Sequence, residues 1–161
     1  MARRFKALLL SALVGLLPCG NAWALLQSCG VSTVPVSFGT YNPLSASPLT
    51  ATGTVTVTCT VTLAALLESW TIALSQGNSG NFNSRSMLNG SSVLSYNLYT
   101  SASYTTIWGD GSGSTGIVSS PLILLQIGNA SFNYPVYGAI PAGQDRAAGT
   151  FIDTIVVTVN Y

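Results

Sequence analysis

The stretch Thr52-Gly53-Thr54-Val55-Thr56-Val57-Thr58-Cys59-Thr60-Val61-Thr62 decides the fold. In it Val55, Val57, Cys59 and Val61 alternate with Thr54, Thr56, Thr58 and Thr60. Successive side chains of a strand point to opposite faces, so period-two alternation of β-branched residues is the pattern of a half-buried strand. The Val and Cys face is expected inward. Cys59 then points into a core, and Cys29 is expected at the start of a neighbouring first strand, suggested by Val34, Val36 and Phe38. Pro35 has no N–H to give to a ladder, which restricts part of that strand to a sheet edge.

Working outward, Trp70, Ile72 and Leu74 alternate in a third strand, and Leu94, Tyr96 and Leu98 in another. Between them, 76–92 is rich in Gly, Asn and Ser and reads as loop, with a short strand near Met87. A further strand covers Tyr134 to Ile140 and ends at Pro141-Ala142-Gly143. The last runs from Thr150 to Tyr161, with Phe151, Ile155, Val157, Val159 and Tyr161 on one face. Six or seven strands joined by Gly-rich turns, with almost no helical periodicity, predict an all-β fold, an antiparallel β-sandwich. Two stretches resist this pattern. Leu63 to Leu67 fits a helical turn, and Leu122 to Ile127 fits either a buried strand or a short helix.

Charge narrows the function. The 161 residues hold five Lys+Arg, four Asp+Glu and no His, so 6% are charged while 48% are hydrophobic. Three of the cations, Arg3, Arg4 and Lys6, precede an apolar stretch from Ala7 to Leu17 and the small-residue pattern Ala22-Trp23-Ala24, the three parts of a secretory signal. Cleavage between Ala24 and Leu25 is expected, giving a leader, 1–24, and a single domain, 25–161. Eleven apolar residues are too few to span a bilayer, and no run in the remainder approaches the roughly 20 required. The exported body then carries Arg85 and Arg146 against Glu68, Asp110, Asp145 and Asp153. It cannot neutralise a phosphate backbone, which excludes nucleic acid as a partner. Without His it lacks the commonest general base and metal ligand.

Removing the leader also removes Cys19. Cys29 and Cys59 remain, and an exported chain with two cysteines most economically forms one disulfide; two buried thiols are the alternative. A cysteine pair without His makes no structural zinc site, which needs four ligands.

Other candidate sites fail on their own terms. Gly111-Ser112-Gly113-Ser114-Thr115-Gly116 matches a dinucleotide pattern but sits in a polar loop with no helix after it, so it reads as a flexible turn. Asp110, Ser112 and Ser114 open like a calcium loop but lack the remaining acidic ligands, leaving Asp110 as a loop cap. No spacing pairs the four carboxylates for glycoside hydrolysis. Neither a catalytic residue nor a cofactor is expected. Asn89-Gly90-Ser91 reads as a turn and Asn129-Ala130-Ser131 as a loop.

The segments Cys29-Gly30-Val31-Ser32, Gly53-x-Val55-x-Val57-x-Cys59, Tyr96-Asn97-Leu98-Tyr99, Trp108-Gly109-Asp110-Gly111, Tyr137-Gly138-x-Ile140-Pro141-Ala142-Gly143-Gln144 and Asp153-Thr154-Ile155-x-Val157-Thr158-Val159-x-Tyr161 stand in the family's order. Together they resemble the spore coat protein U domain, the fold type of archaic, Csu-type chaperone-usher pilus subunits. The resemblance implies an immunoglobulin-like sandwich missing its last strand. It implies as partners a periplasmic chaperone, an outer-membrane usher and a neighbouring subunit that donates a strand. Phe151, Ile155, Val157, Val159 and Tyr161 become candidates for the receiving groove, because an apolar strand with no neighbour leaves both side chains and backbone unsatisfied.

Polymerising subunits of that kind carry a donor segment ahead of the first cysteine. Only Leu25-Leu26-Gln27-Ser28 lies between the expected cleavage site and Cys29, a reach of at most about 14 Å. The expectation is a secreted structural or adhesive subunit that accepts a strand without giving one, at a fibre tip. Two alternatives stand beside it. One is a self-contained coat protein that completes its own sandwich with Leu122 to Ile127. The other is a carbohydrate-binding module using Trp70, Trp108 and the tyrosines.

Overall fold

The computed structural model describes residues 27–62 and 66–161. The leader and its Ala24–Leu25 cleavage site lie outside them. Eleven strands follow in order: β1 Gln27–Val34, β2 Leu49–Val61, β3 Leu66–Glu68, β4 Thr71–Leu74, β5 Ser86–Asn89, β6 Ser92–Ser95, β7 Asn97–Tyr99, β8 Val118–Ser119, β9 Ile123–Leu125, β10 Gly128–Ile140 and β11 Val157–Asn160. Every named pair is antiparallel. One layer is β1-β2-β10-β7 and the other β11-β4-β8, with β5–β6 as a separate hairpin and β3–β9 as a two-stranded ribbon.

The alternating stretch forms β2 as expected. Val55, Val57, Cys59 and Val61 are at most 2% exposed and meet Trp70, Ile72 and Leu74 of the facing layer in the core. On the other side of the sheet the threonines join polar partners on β10: Thr56 Oγ1 donates to Asn133 Oδ1 (2.8 Å), Thr58 Oγ1 meets Ser131 Oγ (3.0 Å) and Thr60 Oγ1 donates to Asn129 Oδ1 (2.9 Å). Asn129-Ala130-Ser131 is therefore strand, not loop. Its polar residues face outward, while Ala130, Phe132 and Tyr134 pack against the core.

Four more segments differ from expectation. The first strand is Gln27–Val34, so Cys29 lies near its start as expected, directly opposite Cys59 at a Cα separation of 4.1 Å, and the two form the disulfide, while Val36 and Phe38 fall beyond its end. Pro35 ends that ladder. The strand through Leu94, Tyr96 and Leu98 is broken at Tyr96: β6 pairs with β5, whereas β7 crosses to β10. The apolar residues Leu94, Tyr96 and Leu98 alternate straight through the break, which hid it in the sequence, and the polar Asn97 between them is buried as well.

Of Leu63 to Leu67, residues 63–65 lie outside the described residues, and Leu66 and Leu67 are strand rather than helical turn. Leu122 to Ile127 contains β9, which pairs with β3. Within that stretch only Leu125 is buried, and Leu122, Leu124 and Ile127 are more than half exposed. It does not complete the sandwich. The turn at Asn89-Gly90-Ser91 is present, joining β5 to β6 with Gly90 at φ 58°, a conformation that costs glycine nothing.

Candidate functional site

The sandwich is open along one side, where the edge strand of each layer borders a cleft of about 880 Å³. Its near wall follows β1. Past Pro35 the chain leaves the ladder, and Val36, Phe38 and Tyr41 pack against the core as the wall. Two glycines make this approach possible. A methyl group on Gly53 would stand 2.6 Å from the Val34 carbonyl oxygen, and one on Gly138 would stand 2.6 Å from Val36 Cγ1 and 2.7 Å from Phe38 Cζ. The Gly53 conflict is with backbone, which cannot move aside without breaking β1.

The far wall is the strap Arg146–Asp153 together with Ile155 and Val157, and the floor includes Val55, Leu74, Leu94, Tyr96, Leu98 and Ile140. Among the five expected groove residues, Phe151, Ile155 and Val157 line the cleft. Val159 packs against the core without lining it, and Tyr161 is 65% exposed. The hydrogen-bonded strand is correspondingly shorter than the expected 150–161. Only Val157–Asn160 pairs with β4, and β11 ends its sheet.

A polar network holds the far wall. Asp153 accepts from Tyr96 Oη (2.6 Å), Asn78 N (2.7 Å) and Thr154 N (2.8 Å). One residue earlier, Ile152 exchanges two backbone hydrogen bonds with Leu88. Ser75 fixes Val156, donating from its N–H to the Val156 carbonyl and accepting at Oγ from the Val156 N–H. Arg85 lies beneath, 0% exposed. Its Nε and Nη2 donate to the Ser75 carbonyl, Nη2 also to the Trp108 carbonyl and Nη1 to Asn97 Oδ1, and its guanidinium lies 5.3 Å from the Phe82 ring centroid.

Burial lowers the Arg85 guanidinium from its ordinary value, partly offset by Tyr96 and Asp153. The Tyr96 phenol is pushed up strongly, first by burial and then by its hydrogen bond to Asp153. Sequence reasoning missed this network. Its one signal was Arg85, one of two arginines in an almost uncharged body, since a buried cation must find several acceptors.

Tyr41, which lines the cleft, is tied to the 141–144 segment. Tyr41 Oη donates to the Pro141 carbonyl (2.9 Å) and accepts from Gln144 N (2.8 Å), while the Gln144 side chain pairs with both backbone groups of Ser95. The Pro141-Ala142-Gly143-Gln144 segment thus joins the two walls.

The other sequence candidates are structural. Trp70 and Trp108 are buried and donate to Tyr134 Oη and to the Ile72 carbonyl, so neither presents a face to a ligand. Asp110 accepts from the Ser112 amide and hydroxyl, which lowers its pKa and makes it a loop cap. Among the described residues no three metal-ligating side chains come together, and no helix is long and apolar enough to cross a membrane.

The fold is an antiparallel, disulfide-linked immunoglobulin-like sandwich with an open apolar cleft beside an edge strand. The chain belongs to the Spore Coat Protein U domain family, whose model matches residues 20–158. It is 32% identical over 155 residues to "Protein U" of Myxococcus xanthus, covering 88% of this chain and 79% of that protein. Its fold is similar to a chain in the solved pre-assembly complex of the chaperone CsuC with the tip adhesion subunit CsuE, from archaic chaperone-usher Csu pili of Acinetobacter baumannii. There the TM-score is 0.55 and the identity 23%, over 84% of this chain and 40% of the solved one.

Proposed function

We propose that this protein is an exported structural or adhesive subunit of a chaperone-usher type surface fibre, and that its cleft receives a β-strand donated by another chain. The leader, 1–24, directs it to the periplasm, where a chaperone and then an outer-membrane usher handle it before it reaches the surface. The observation that carries the reading is the cleft itself. It is walled by two edge segments, floored by core side chains and bounded by the free side of β11. A donated strand supplies main-chain hydrogen bonds to that edge, and its alternate side chains fill the floor. Four apolar side chains buried there contribute on the order of 10 kcal/mol before ordering costs. A position at the fibre tip is the finer form of the proposal, prompted by the role of CsuE as a tip adhesion subunit.

The test is thermal unfolding of the purified protein with peptides copying donor segments of fibre subunits. The expected outcome is a raised Tm that depends on peptide concentration. No rise with any such peptide would overturn the acceptor reading and favour a self-contained coat protein. Against that alternative, the segment assigned to complete the sandwich, Leu122 to Ile127, is engaged with β3 instead.

A further inference from the structure

We propose that Arg146 selects the donated strand by charge, favouring a segment with a carboxylate at the end that lies against Arg146 in the cleft. This rests on the strand-acceptor reading and adds to it the chemistry of the partner. The described residues contain two cations, Arg85 and Arg146. Arg85 is buried, with its donors engaged by Ser75, Trp108 and Asn97. Arg146 is exposed and lines the cleft, two residues beyond Gln144, whose N–H donates to the Tyr41 hydroxyl. The one carboxylate lining the cleft, Asp153, already accepts from Asn78, Tyr96 and Thr154. Asp145 adjoins Arg146 in sequence but does not line the cleft.

An incoming strand therefore meets an apolar floor along its length and a guanidinium at the wall that carries Arg146. A carboxylate there gains a charge-assisted hydrogen bond, whereas an ammonium meets repulsion. Charge at one end of the donor then also sets which way round it enters.

The experiment measures binding of labelled peptides to the full-length protein. The peptides are about ten residues long, share one alternating Val/Thr pattern and carry Asp, Ser or Lys at either end. One placement of Asp is expected to bind about threefold tighter than Ser and Lys about threefold weaker, as partly exposed ion pairs allow. The ranking inverts in Arg146→Glu, vanishes in Arg146→Ala and shrinks at high salt. Equal binding of all peptides, or a ranking unchanged in both variants, overturns the selection while leaving the acceptor reading intact. Binding by none overturns both.

Discussion

Val31 and Val57 face one another across the β1–β2 pair on the same inward side of the sheet, yet Val57 is 0% exposed and Val31 is 44% exposed. Both residues obey the alternation, so the difference comes from what lies over them. Val57 is covered by the facing layer, whereas Val31, on the edge strand, looks out where cover is missing. The opening in the sandwich is thus a property of its interior side.

Truncating these two valines should separate the roles. Val57→Ala removes fully buried methyl groups and is expected to cost about 2 kcal/mol in chemical denaturation, whereas Val31→Ala costs about 0.5 kcal/mol or less.

The disulfide ties this edge strand to β2. Its partners are 30 residues apart, and closing a loop of that size stabilises the fold by about 3.5 kcal/mol in the loop-entropy model. Replacing Cys29 and Cys59 together with Ser should lower the denaturation midpoint accordingly. It should also speed amide exchange along β1 more than along β10, because β1 has one strand neighbour and β10 has two.

The legible part of the fold was what repeats at period two. β2, β4 and the 134–140 part of β10 follow from apolar residues recurring at every second position, whereas 129–131 of β10 read as loop. Boundaries set by partners were hidden. Tyr96 lies where the chain passes from β5 to β10 as partner, and no residue type marks that handover. The wall at Val36 and Phe38 depends on Gly53 and Gly138 lying opposite, a relation between distant segments that spacing cannot show. Of the groove, alternation put Phe151, Ile155 and Val157 on one strand face, and only the family resemblance made that face a groove candidate. It missed Arg85 and Tyr96 because their role lies in hydrogen bonds to Ser75 and Asp153.

Alkaline pH should weaken the far wall through Tyr96. Its phenol holds its proton more tightly in the fold than the unfolded chain does at its usual value of about 10. Above that pH the unfolded state binds fewer protons than the folded one, so stability is full below about pH 10 and falls as pH rises further. Tyr96→Phe should flatten this decline. It should also cost about 1.5 kcal/mol at neutral pH through the lost hydrogen bond to Asp153. Denaturation midpoints between pH 7 and pH 11 would check both statements, and a decline of equal slope in the variant would contradict them.

Arg85 offers the sharpest test of how the interior supports the cleft. Arg85→Met keeps much of the volume but leaves the Ser75 carbonyl without its two guanidinium donors and the Trp108 carbonyl without one. Asn97 Oδ1 still accepts from the Leu98 amide. The unsatisfied buried acceptors should together cost about 3 kcal/mol. Arg85→Lys should recover only part of this, since one ammonium cannot reproduce a planar fork serving three acceptors. Because Ser75 also holds Val156, the loss should reach the cleft. Donor-peptide affinity is expected to fall in both variants in step with faster amide exchange at Val156. Unchanged affinity in a folded Arg85→Lys protein would separate the network from the groove.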